Sequence, residues 1–93
     1  MNKKYEEELI AVFEKAASGK TLLHDFLLDI LTPAEYKEIM IRWQIVKRLA
    51  KGESQRTIAR ELKIGIATVT RGSRELADSN GGFAQMVRKI KVK

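Results

Sequence analysis

The chain has no cysteine, one proline, one histidine and one tryptophan. Without cysteine there is neither a disulfide framework nor a thiolate metal site. A single histidine, His24, leaves no paired general base and no His-based metal site; it reads as a half-exposed helix residue. No nucleophile–base pair, phosphate-binding loop or metal cluster can be assembled from the remaining residues, so the chain is not expected to be an enzyme. Apolar runs of membrane-spanning length are missing too, and the opening MNKKYEEE lacks the hydrophobic core of a signal peptide. The expectation is a cytoplasmic protein without metal or membrane partner. Strand-type alternation is also absent: the hydrophobic period is helical throughout, which makes the fold class all-α.

What the chain does contain is a strongly uneven charge. The formal net charge is +6 over 93 residues. Residues 1–31 hold four lysines against six acids, whereas residues 32–93 hold fourteen Lys or Arg against six acids. The excess of positive charge therefore lies in the second part, as a polyanion-binding surface requires. The length suits one small domain, 1–93, with a thin core, and chains this short gain stability by pairing.

Helix signals punctuate the sequence. From about Lys3 to Ala17, Tyr5, Leu9, Val12, Phe13 and Ala16 line one face, and Glu6, Glu7 and Glu8 favour the N-terminal end. Ser18-Gly19 breaks that helix. Thr21 is the expected cap of the next, with Leu22, Leu23, Phe26, Leu27 and Ile30 as its buried stripe. Thr32-Pro33-Ala34-Glu35 is the sharpest boundary: Thr32 caps, Pro33 takes the first helical position and Glu35 can reach back as a capping box. The central helix then runs to about Lys51 and ends at Gly52. Its apolar residues wrap more than one face, Trp43 among them as core or interface packing, which points to a second subunit. After Asn80-Gly81-Gly82 a last helix carries Phe83, Met86, Val87 and Ile90 and ends in the basic tail KIKVK.

Between these lies the segment Ser54–Leu76, read as two short helices and a tight turn. Ser54 is a good N-cap for a helix beginning at Gln55. Ile58, Ala59 and Leu62 form its apolar stripe, and Gly65, in the turn Lys63-Ile64-Gly65, is the expected source of permissive backbone geometry. Ile66, Val69, Ser73 and Leu76 follow along one side of the second helix. Its outward face carries Ala67, Thr68, Thr70, Arg71 and Arg74, small and cationic residues suited to phosphates and base edges. The pattern is a helix-turn-helix over about 54–76, and it implies binding to double-stranded DNA.

With these boundaries the sequence resembles the tryptophan repressor family. The matching residues are Leu31-Thr32-Pro33, Arg42, Ser54-Gln55-Arg56 and, most specific, Ile66-Ala67-Thr68-Val69-Thr70-Arg71-Gly72-Ser73. The match covers about Leu22 to Leu76. The resemblance implies an intertwined homodimer of six-helix subunits that represses transcription by gripping operator DNA when loaded with L-tryptophan as corepressor. By position it implies a ligand site of Thr32, Arg42, Arg71, Gly72 and Glu75, with Arg42 and Arg71 flanking the indole and Arg71 facing the carboxylate. Guanidinium planes stack on indole and pair with carboxylate, so the chemistry is sensible. For DNA it implies Gln55, Arg56, Ile66, Ala67, Thr68 and Thr70.

Two departures from the family pattern stand out. Gly52-Glu53-Ser54 is a shortened link, and Glu75 replaces a residue that is often serine beside the ligand ammonium. Read without the resemblance, Arg42 is a surface arginine whose stem snorkels along an apolar helix. Two competing readings remain at this level: a constitutive DNA-binding relative, or one answering another small molecule, and an all-helical interaction protein whose basic half is a docking surface.

Overall fold

The computed structural model describes residues 2–91. Six helices follow one another, with no strand among the described residues: α1 (Lys3–Ala16), α2 (Lys20–Ile30), α3 (Pro33–Ala50), α4 (Gln55–Leu62), α5 (Ile66–Ala77) and α6 (Gly82–Ile90). The expected all-α, six-helix architecture is therefore present. Of the terminal tail KIKVK, Val92 and Lys93 lie outside the described residues. The chain falls into two compact units, Met1–Lys37 and Glu38–Lys93.

In the first unit α1 opens on Asn2, whose side-chain oxygen accepts the Tyr5 N–H at 3.1 Å. This cap, and not the acidic run after it, satisfies the first turn. At the other end the Ser18 hydroxyl donates to the Lys15 carbonyl at 2.7 Å. Phe13 of α1 and Phe26 of α2 meet edge to face with ring centroids 5.2 Å apart, a favoured aromatic geometry. Two expectations for α2 are corrected. Its N-cap is Gly19 with no side-chain bond, because the helix has already begun at Lys20 and Thr21 lies inside its first turn. No residue of α2 is buried either: Leu23, Phe26 and Leu27 are half-buried, while Leu22 and Ile30 stand exposed. Two short helices alone lack a second layer to cover such a stripe.

The Thr32–Glu35 capping box is formed as expected. Thr32 N–H donates to Glu35 Oε1 at 2.8 Å and Glu35 N–H donates to Thr32 Oγ1 at 3.1 Å. The bond from the Thr32 N–H, followed by the contact with its hydroxyl, holds the Glu35 carboxyl below its usual range.

The second unit has a dry centre. Ile45 of α3, Ile58 of α4 and Val69 of α5 are at most 1% exposed, with Ile41, Leu49, Ala59, Leu62 and Ile64 packed around them. α3 ends at Gly52, as read from the sequence: Glu53 N–H reaches the Arg48 carbonyl at 3.1 Å and Gly52 N–H the Leu49 carbonyl at 2.9 Å, with Gly52 at φ +91°. This is a Schellman ending, for which a positive φ is needed. α4 closes in the same way, and here the expectation is corrected. The left-handed residue is Lys63 (φ 57°, ψ 48°), not Gly65, which sits at φ −67° and ψ 143° as the N-cap of α5. The Schellman bonds Ile64 N–H to Ala59 and Lys63 N–H to Arg60 place the left-handed residue two positions earlier than expected.

Within α5, Val69 is buried and Ser73 and Leu76 are half-buried, but Ile66 is 51% exposed and does not join the inward side. α6 turns Ala84 inward, with Phe83 and Val87 half-buried, and leaves Met86 and Ile90 exposed. Arg88 Nη1 donates to the Ser79 carbonyl at 3.0 Å and Gln85 Nε2 to the Asn80 carbonyl at 2.9 Å, tying the Asn80-Gly81 turn to the helix that follows it.

Candidate functional site

A cleft of about 670 Å³ lies between α3 and α5 in the second unit, within the usual size of a small-molecule site. Each wall is one helical stripe. α3 contributes Glu38, Ile41, Arg42 and Ile45, and α5 contributes Thr68, Arg71, Gly72 and Glu75, both sets spaced i, i+3, i+4, i+7. Ile64 and Phe83 add apolar surface. Four residues singled out from the sequence for one ligand, Arg42, Arg71, Gly72 and Glu75, are thus brought together. Thr32 belongs to the first unit, where it caps α3.

Gly72 determines how near the two walls come. A Cβ added there would meet Ile45 Cγ2 at 2.9 Å and Leu49 Cδ1 at 3.9 Å, so a larger residue requires Ile45 or the helix contact to shift. Away from this crossing point the walls carry two guanidinium and two carboxylate groups. Arg42, Arg71 and Glu75 are exposed, as is Glu38, and none of the four is ion-paired with another described residue. A cleft with apolar flanks and both signs of charge suits a ligand that is apolar in its body and carries a carboxylate and an ammonium. Glu38 and the aliphatics Ile41 and Ile45 were not anticipated as lining. Glu38, Ile41 and Ile45 lie four before, one before and three after Arg42, on the same stripe of α3.

The opposite aspect of α5 faces solvent. Ile66, Thr70 and Arg74 are exposed, and so are Ala67 and Thr68 at the edge shared with the cleft. Arg56 is exposed at the start of α4 and Gln55 is half-buried beside it. The Thr70 hydroxyl lies 2.7 Å from Gln55 Oε1 and 3.0 Å from the Ile66 carbonyl. The contact links the first turn of α4 to α5. The Ser54 cap is confirmed, with its hydroxyl oxygen accepting the Thr57 N–H at 3.1 Å.

The Gly52-Glu53 link is held by the side chain of Arg48. Arg48, near the end of α3, donates from Nε to Glu53 Oε1 at 2.9 Å and also pairs through Nη2 with Glu61 of α4. One guanidinium therefore joins α3, the Gly52-Glu53 link and α4. Its hydrogen bond to Glu53, reinforced by its charge and those of Lys51 and Lys47, holds the Glu53 carboxyl below the usual carboxylate range despite partial desolvation. The same two carboxylates push the Arg48 pKa upward.

The architecture is that of an all-α protein with an α3–α5 ligand-sized cleft and a basic, exposed α4–turn–α5 face. Residues 7–91 match the model of the Trp repressor protein family. The chain is similar to proteins described as Trp operon repressor homologs: 54% identical over 55 residues in Vibrio vulnificus strain YJ016, covering 57% of this chain and 54% of that one. In Vibrio cholerae the figures are 44% over 70 residues, 69% and 68%. In Chlamydia trachomatis they are 35% over 68 residues, 72% and 72%. The chain spans about half the length of the Vibrio vulnificus relatives it matches. It belongs to the Trp repressor family, a family of regulators.

Proposed function

We propose that this chain is a DNA-binding transcriptional repressor that acts as a homodimer and grips operator DNA when L-tryptophan occupies the α3–α5 cleft. The observation that carries the reading is that one helix, α5, serves both surfaces. Arg71, Gly72 and Glu75 line the cleft, while Thr70 and Arg74 stand in solvent one residue from Arg71 and Glu75. In this reading Arg42 and Arg71 flank the indole, Arg71 pairs with the carboxylate and Glu75 with the ammonium. Gly72 lets α5 pack closely on Ile45 of α3 beside the ligand. Residues 54–76 form the helix-turn-helix. Gln55, Arg56, Ile66, Ala67, Thr68 and Thr70 present donors and apolar contacts to phosphates and base edges. The ligand changes DNA affinity only by binding the groove-fitting pose of α5 more tightly than other poses.

Family membership supports the repressor role, and the apolar residues left exposed on α1 to α3 support the dimer. Among the described residues no helix is long and apolar enough to cross a membrane. Calorimetry with L-tryptophan and titration of a duplex selected from random sequence are the tests. Arg71→Ala is expected to lose tryptophan binding and tryptophan-dependent duplex binding together, whereas Arg56→Ala weakens duplex binding and leaves tryptophan affinity unchanged. Full tryptophan affinity in Arg71→Ala overturns the site. Duplex binding that is as tight without tryptophan as with it replaces the reading by a constitutive DNA-binding protein.

A further inference from the structure

Apolar contact is non-directional, so the packing of Ile45, Ile58 and Val69 sets how close α3, α4 and α5 come, with less hold on the angle of α4. Among the described residues, side-chain hydrogen bonding between α3 and the α4–α5 pair comes from Arg48 alone. Its Nε donates to Glu53 Oε1 at 2.9 Å, its Nη2 lies 2.7 Å from the same oxygen, and Nη2 also pairs with Glu61. Glu53 stands immediately before the Ser54 cap of α4, and Glu61 is one residue from the end of that helix. The Gly52 turn brings Glu53 back over Arg48, as the bond from the Glu53 N–H to the Arg48 carbonyl shows. The Arg48 side chain is 17% exposed, so the cation is largely out of water. A planar guanidinium engaged at both ends of a short helix restrains its tilt and rotation in a way that one contact does not. The Thr70 hydroxyl and Gln55 Oε1, 2.7 Å apart, then tie α4 to α5.

We infer that Arg48 is a positioning residue for DNA binding: by gripping Glu53 and Glu61 it holds the α4–turn–α5 pair at the angle at which that pair enters the groove. The inference rests on the proposed DNA-binding reading and adds to it a residue that touches neither ligand nor duplex. Arg48 lines no part of the α3–α5 cleft, and its guanidinium is already engaged by two carboxylates. A head held at its binding angle before it meets the duplex loses less freedom on binding. A released head must be ordered during binding, and affinity falls for that reason alone. With two heads in the proposed dimer, a loss of about threefold for each makes roughly tenfold overall.

The sign of a charge change separates this role from ordinary electrostatics. Glu61→Gln removes a negative charge and breaks part of the grip. Attraction to phosphate alone would make the variant bind a duplex more tightly. Loss of position makes it bind roughly tenfold more weakly. The titration uses the full chain, saturating L-tryptophan and a duplex that the wild-type protein selects from random sequence. Circular dichroism at the assay temperature establishes that each variant is folded. Glu53→Gln, with the same charge change at the other end of α4, is expected to weaken binding too. Arg48→Met should weaken it while keeping the wild-type dependence on salt; a slope lower by about 1 would make Arg48 a phosphate contact and overturn the inference. Tryptophan affinity in the absence of DNA should stay within about twofold of wild type in Glu61→Gln. A loss there as large as the loss of duplex affinity would make the grip a general support of the fold, and the positioning role would fall. Tighter or unchanged duplex binding by Glu61→Gln and Glu53→Gln overturns the inference and leaves the DNA-binding reading standing. A wild-type protein that selects no duplex removes that reading and this inference with it.

Discussion

Along α4 and α5 the large aliphatics Ile58, Leu62, Val69 and Leu76 are buried or half-buried, and only Ile66 is largely in water. Along α1 and α2 the balance is reversed: Tyr5, Leu9, Ile10, Leu22, Leu28 and Ile30 are all exposed, and Ala16 is the only fully buried described residue of those two helices. Both regions have helical apolar periodicity, so periodicity alone does not say whether the apolar face finds its cover within one chain. In the second unit three helices close around Ile45, Ile58 and Val69. In the first, one aromatic pair, Phe13 with Phe26, joins two helices most of whose other large apolar residues lie open. An exposed apolar face of this kind is what a partner surface would cover. A second copy is the occupant proposed above.

The sharpest way to break this contrast is to truncate one residue on each side of it. Ile58→Ala removes a side chain with no exposure and is expected to cost about 2–5 kcal/mol, seen as a large drop in the chemical-denaturation midpoint. At Ile10, 56% exposed in the single chain, the outcome depends on a second copy. With the proposed dimer, the melting temperature rises with protein concentration and Ile10→Glu abolishes that rise. Wild-type melting that is independent of concentration removes the dimer from the reading.

Much of the second unit, and the start of α3 before it, was legible in the sequence because the signals are local. The Thr32–Glu35 box, the Ser54 cap, the Gly52 ending and the stripe Ile58-Ala59-Leu62 each depend on residues within four positions of one another, and each is present. The convergence of Arg42, Arg71, Gly72 and Glu75 on one cleft came from family resemblance, since no local rule joins positions 29 residues apart on α3 and α5. What was missed was of three kinds. Glu38 was hidden because an acid on an exposed helix face reads as solvated until the facing wall is known. Lys63 was overlooked because Gly65, two residues on, is the more obvious candidate for a positive φ. Burial in α2 failed for a third reason: its stripe has no partner layer in the unit to which it belongs.

A smaller effect sharpens the comparison at the joint between α3 and α4. Arg48 holds Glu53 and Glu61, and the Glu53 carboxyl lies below its ordinary value near 4.5. A depressed folded-state pKa contributes stability that is present above about pH 4.5 and is lost as the pH falls through the lower, folded value. Arg48→Ala should therefore flatten this part of the acid limb of the stability curve and lower stability at neutral pH, where two carboxylates are left facing each other. Denaturation midpoints measured from pH 7 to pH 3 check it. An acid limb identical in slope to wild type would show that Arg48 does not hold the link in solution.

The smallest expected change is a gain. Lys63 ends α4 in the left-handed region, at φ 57°. For a residue with a Cβ that conformation costs roughly 1–2 kcal/mol, because the Cβ crowds the following carbonyl. Glycine adopts it freely but loses more backbone entropy on folding, by about 0.5–1 kcal/mol. The two terms oppose, and the steric one is larger, so Lys63→Gly should stabilise by about 0.5–1 kcal/mol and raise the melting temperature by a few degrees. Gly65→Ala is the matched control: with φ −67° and nothing within 4 Å of an added Cβ, that position has no need of glycine, and the substitution should be neutral or mildly stabilising. Thermal melts of the two variants separate the alternatives directly. If Gly65→Ala were the damaging change and Lys63→Gly the neutral one, the turn between α4 and α5 would be built on Gly65 after all.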